Sequence, residues 1–170
     1  MRKILYLIST MVYSPQAISY VVDEAYREGA ELIVCFVINN RVPESVSSWL
    51  IYIGFMGDKP SGELKSAITG NYLQRARTQL EEIEEEAHKR GVTCRSLLLE
   101  GDLVEEGARV AQQEGVDLIM LNRPERSHLF RLFFGPMKEN LTQRVRCPVK
   151  VVDEEILEKE DDSPSGDPLT

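Results

Sequence analysis

The chain has 170 residues, 42% of them hydrophobic and 28% charged. That suffices for one folded domain with a core of its own, and it excludes a low-complexity chain or a miniprotein that needs staples. The net charge of −8 sits at one end: residues 153–170 hold eight acids and one lysine, which leaves about −1 for residues 1–152 and no basic footprint for a general nucleic-acid binder.

In chain order, Lys3 to Ile8 is an apolar run of strand character. A secretory leader needs a longer apolar stretch and a small-residue cleavage site, so Met1 to Ile8 is predicted as the first strand. Ser14-Pro15 supplies a helix cap followed by proline at the first helical position. Ile18, Val21, Val22 and Ala25 then recur at helical spacing, and Gly29 ends the element. Glu31 to Ile38 is a continuous apolar run, the mark of a strand buried on both faces. Its stretch Leu32 to Ile38 is among the longest apolar runs and is far too short to span a bilayer.

Residues 39–70 form a long connection before the next helical pattern. Connections of that length usually carry structure or function of their own. This one contains the apolar, aromatic segment Trp49 to Phe55, which suits a helix covering the sheet, a dimer seam, or a protein-partner or membrane-surface patch. A second helix is predicted from Asn71 to Arg90, on the spacing of Leu73, Ala76, Leu80, Ile83 and Ala87, with Gly91 as its stop. Its glutamates, Glu81 to Glu86, read as a solvated face rather than a metal site. Val92 to Leu99 is the third strand. Asp102 caps a third helix, with Glu105 at the capping-box position, and that helix offers Leu103, Val104, Val110 and Ala111 to a core. Val116 to Leu121 is the fourth strand, Met137 to Arg146 the fourth helix and Val149 to Val152 the fifth strand. Residues 153–170 are polar and acidic and are expected to be a disordered tail.

Strand and helix alternate throughout, which predicts an α/β fold with a parallel sheet and helices on both faces. In such sheets ligands bind beyond the carboxyl ends of the strands. Neither His88 nor His128 has a serine or cysteine nucleophile motif beside it, and no phosphate-loop, dinucleotide or zinc-protease motif occurs, so no enzyme is predicted. The three cysteines, Cys35, Cys94 and Cys147, lack metal-ligand spacing and read as free thiols in a reducing, cytoplasmic setting.

The opening KILYLIS, the ELIVCFVI strand, the stretch LLLEGDLVEEGARVAQQEGVDLIML, and Gly135 through CPVKVV together resemble the universal stress protein family. The resemblance covers Arg2 to Val152. It implies a Rossmann-like three-layer sandwich whose five parallel strands are ordered 3-2-1-4-5. It also implies a homodimer through the last strand, here Val149, Lys150, Val151 and Val152.

Members of that family that bind ATP carry an aspartate at the end of the first strand. After the fourth strand they carry two glycines and a later glycine followed by serine or threonine. Laid on this chain, Ser9 takes the place of the aspartate, Asn122 and Glu125 those of the first two glycines, and Gly135 keeps the last, followed by Pro136. Asn122 tolerates a left-handed backbone. Glu125 adds bulk and negative charge opposite an anion, and Pro136 has no N–H to offer a phosphate. Residues 121–150 nevertheless hold seven bases against two acids. Two expectations result. One is a stress-response protein with no cofactor. The other is a binder of ATP or AMP in an altered cradle of Ser9, Leu121, Asn122, Arg123, Glu125, Arg126, Gly135, Pro136 and Met137.

Overall fold

The computed structural model describes residues 1–8, 15–38, 62–122 and 128–152, with the backbone alone for 62–72 and 128–135. The segment Trp49 to Phe55 and the acidic tail lie outside the described residues, as do Ser9, Arg123, Glu125 and Arg126.

Nine elements follow one another: β1 (Lys3–Ile8), α1 (Pro15–Glu28), β2 (Glu31–Ile38), α2 (Gly62–Lys89), β3 (Cys94–Glu100), α3 (Leu103–Glu114), β4 (Leu118–Asn122), α4 (His128–Arg144) and β5 (Val149–Val152). The strands form one sheet in the order β3-β2-β1-β4-β5, as expected, and every neighbouring pair is parallel. The order reverses at β1, whose two sides face Glu31–Phe36 of β2 and Leu118–Leu121 of β4. A cleft opens at such a reversal, beyond the carboxyl ends of β1 and β4.

Strand alternation sends successive side chains to opposite faces. Ile4, Tyr6, Ile8, Val34, Phe36 and Met120 meet Val21, Val22 and Ala25 of α1 and Ala76, Leu80, Ile83 and Ala87 of α2. On the other face Leu5, Leu7, Ile33, Cys35, Ile119 and Leu121 meet Leu103, Val104, Val110 and Ala111 of α3 and Leu141 of α4. The sequence placed these helix faces correctly because apolar spacing follows burial. Burial also pushes the Cys35 and Cys94 thiols up to about 12, which makes them inert packing groups.

Two helices differ from their sequence prediction. α2 starts at Gly62, not Asn71, so residues 62–70, read as part of the long connection, are helical. Leu64, Ile68 and Tyr72 step by four and continue the apolar stripe, while Gly70 and Asn71 hide it. α4 runs His128–Arg144 rather than Met137 to Arg146, with Pro136 inside it instead of at its first position. The apolar spacing of Leu129, Leu132 and Phe133 carries a helix up to the proline, which removes one backbone hydrogen bond without ending the element.

The helix ends follow local chemistry. Asp102 accepts from the Glu105 backbone N–H at 3.0 Å, and Gly115 closes α3 in the left-handed conformation at φ 64°. Polar contacts tie the elements: Arg90, just past α2, pairs with Asp23 and donates to Ser19 of α1, and Arg95 of β3 joins Glu31 of β2 to Glu114 at the end of α3. The Arg95 guanidinium hydrogen-bonded to Glu114 holds that carboxyl below its usual range.

Candidate functional site

At the reversal point of the sheet Leu7 of β1 pairs with Leu121 of β4, and Ile8 and Asn122 are the last residues of those two strands. Asn122 closes β4 at 4% exposure and stands out as a buried polar side chain among the described residues. Its Oδ1 accepts a hydrogen bond from the Tyr6 hydroxyl at 3.1 Å. The phenol is itself buried, and that burial pushes its pKa well above the ordinary tyrosine value. Tyr6 therefore stays protonated and remains a permanent donor to Asn122.

This pair turns the Asn122 side chain down into the α1–α2 face of the sheet, where Tyr6 lies, rather than outward beyond the strand ends. A glycine there would leave Tyr6 without its acceptor. Removing the donor by Tyr6→Phe leaves a buried carbonyl unsatisfied, at about 1–3 kcal/mol. We expect Tyr6→Phe to lower the denaturation midpoint, and Asn122→Leu in the same chain to recover part of the loss. Equal stability of Tyr6→Phe and the parent would contradict this account of the pair.

The other expected site residues have different fates. Leu121 is fully buried in the α3–α4 core, so only its backbone can face a ligand. Gly135 lies within α4 rather than at its start. Pro136 is exposed, and Met137 is half-buried against the α3–α4 core. The β5 residues Val149, Lys150, Val151 and Val152 form the outer strand of the sheet. Val149 packs toward α3 and α4 and Val152 toward α1 and α2. Lys150 donates to the Tyr20 hydroxyl and lies 4.8 Å from the centre of that ring.

The sequence reading missed Tyr6. The available signal was a lone hydroxyl in a strand apolar on both faces, since a buried tyrosine O–H must find a partner. Just past β3, Gly101 donates its N–H to Ile38 O at 2.9 Å and adopts φ 147°. A Cβ there would come within 3.1 Å of Glu106 Cγ, so the Gly-Asp turn that starts α3 needs glycine. Among the described residues no three His, Cys, Asp or Glu side chains gather as a metal site would require. His88 is engaged at the end of α2, its Nε2 lying 3.2 Å from Cys94 O.

Comparison with known proteins gives a consistent answer. A universal stress protein of Methanocaldococcus jannaschii is 24% identical over 152 residues, covering 89% of this chain and 94% of that one. Its solved structure superposes with a TM-score of 0.63 at 23% identity, over 89% of this chain and 94% of that one. The universal stress protein of Archaeoglobus fulgidus in complex with dAMP has a TM-score of 0.55 and 14% identity, covering 90% of this chain and 98% of that one. A universal stress protein in complex with cAMP has a TM-score of 0.53 and 17% identity, covering 89% of this chain and 95% of that one. The family model described as the universal stress protein family matches residues 1–153, and the chain belongs to that family.

Proposed function

We propose that this is a dimeric stress-response protein of regulatory type that does not bind ATP in its family's usual manner. The observation that carries the proposal is the buried Tyr6–Asn122 hydrogen bond at the first glycine position of the phosphate turn. The inclusion of Gly135 and Pro136 within α4 supports it, because the N–H groups of a helix start are what receive a phosphate. Catalysis is no part of this reading, since no nucleophile motif accompanies His88 or His128. Dimerisation rests on β5, the outer strand among the described residues, whose edge would offer backbone groups to a second copy.

A second reading is an adenine-nucleotide binder with an altered cradle. It is favoured by the relatives solved with dAMP and cAMP, and by the bases Arg123 and Arg126 on either side of Glu125. Calorimetry with ATP and AMP separates the two. The parent chain is expected to give no ATP-binding heat. Restoring the family pattern with Asn122→Gly, Glu125→Gly and Pro136→Ser is expected to raise ATP affinity at least about tenfold, roughly 1.4 kcal/mol. Submicromolar ATP binding by the parent, unchanged in the restored variant, would select the second reading.

A further inference from the structure

Among the described residues β5 has one sheet neighbour, β4. The ladder between them decides which backbone groups lie on the other side. The Ile119 N–H donates to Pro148 O at 3.0 Å, and Ile119 pairs with Val149. In a parallel ladder this turns the backbone groups of Lys150 and Val152 toward β4 and those of Val149 and Val151 outward. Side chains alternate too. Val152 packs toward α1 and α2, and Val149 toward α3 and α4. Lys150 lies on the α1 side, where its ammonium donates to the buried Tyr20 hydroxyl and sits 4.8 Å from the centre of that ring. Val151 shares the face of Val149 by the same alternation.

We propose that β5 pairs antiparallel with β5 of a second copy about a twofold axis placed between the two copies of Val151, and that Lys150, held on Tyr20, sets this register. The register rests on the dimer proposed above and fixes where its axis lies. A twofold axis normal to the sheet keeps each face on its own side, so a residue facing α1 opposes another that faces α1. Only registers centred on a residue satisfy that. Centred on Val149 or on Val152, the four residues of β5 meet their copies at one position; centred on Lys150 or on Val151, they meet at three. With Lys150 at the centre, two lysines stand directly opposite each other in the closer, non-hydrogen-bonded kind of pair, with Cα atoms about 4.5 Å apart. Like charges so placed destabilise the pairing. Tyr20 anchors each ammonium, so neither swings away without losing that contact. With Val151 at the centre, Val151 exchanges both backbone hydrogen bonds with its mate, and Lys150 stands opposite Val152 of the second copy. Two β-branched side chains then meet at the axis, which favours the pairing.

Disulfide trapping in the full-length chain tests the register. In a Cys147→Ser background, Val151→Cys and Val149→Cys are each oxidised with glutathione disulfide, while sedimentation of the parent reports its oligomeric state. Across the proposed axis the two Cα atoms at position 151 are about 5.5 Å apart, within the span of a disulfide. In the register centred on Lys150 they stand two residues out of step, about 6.6 Å along the strand before the strand separation is added, which is out of reach. Val151→Cys should therefore link at least about fivefold more than Val149→Cys. In co-produced chains carrying one change each, mixed 149–151 disulfides mark the register centred on Lys150, and mass spectrometry should find few. Adding Lys150→Val to both should raise those mixed links about fivefold, because the charge that excludes that register is gone. A dimer that forms no link at 151, or that links 149 to 151 in preference, overturns the proposal and leaves the dimeric reading standing. Mixed links indifferent to Lys150→Val overturn the role of Lys150. A parent that sediments as a monomer overturns the dimeric reading and the register with it.

Discussion

Phe36→Ala is expected to cost about 3–5 kcal/mol, the usual range for truncating a buried phenylalanine. Phe36 lies in β2, fully buried, with Ile8 of β1 and Leu98 of β3 as its register neighbours. It faces α1 and α2, so its ring fills the layer between the sheet and those helices. An alanine leaves a cavity that strands paired on both sides cannot collapse to fill. A domain of this size loses about 2–4 °C of melting temperature per kcal/mol, so a drop on the order of 10 °C is expected in thermal denaturation. A drop of only 1–2 °C would mean that this layer repacks freely, contrary to the tight packing described.

Gly107→Val is the second large effect, expected to destabilise by about 1–3 kcal/mol through overpacking. Gly107 is buried in α3, where it lets the helix lie close on β1. A Cβ at this position would come within 2.7 Å of Leu7 Cδ1 and 3.7 Å of Leu141 Cδ1. Leu7 is itself fully buried and has little room to move aside. Even Gly107→Ala should destabilise, although alanine is the better helix former by about 1 kcal/mol. Adding Leu7→Ala to Gly107→Val should cost less than the sum of the two single changes, because the second truncation clears the clash. Chemical denaturation of the four proteins measures this, and strict additivity would contradict the close α3–β1 contact.

The sequence disclosed most of the fold where one residue type had one physical meaning. The uninterrupted Leu32–Val37 run could only be a strand buried on both faces, and the structure buries all of it. Asp102 is a side-chain cap because an aspartate before an apolar helix has few better uses. Gly29 and Gly91 end helices at positive φ, which side chains resist. Reading failed where local propensity and tertiary context disagree. Gly70 hid the first turns of α2, and Pro136 hid the first half of α4, because a helix tolerates one residue of weak propensity within a longer helical pattern. The site was legible only as a set of positions. Tyr6 and Asn122 stand 116 residues apart in sequence, and no local pattern links a strand tyrosine to the last residue of a distant strand. Only the parallel pairing of β1 with β4 makes them neighbours.

The central claim is that this member keeps the family's frame while Asn122, held by Tyr6, and the helical Gly135-Pro136 step replace the usual phosphate turn. Native mass spectrometry of the protein as purified, without added nucleotide, tests it most directly. The account predicts the mass of two bare chains. A stoichiometric ATP adduct that disappears on Gly135→Val would contradict it.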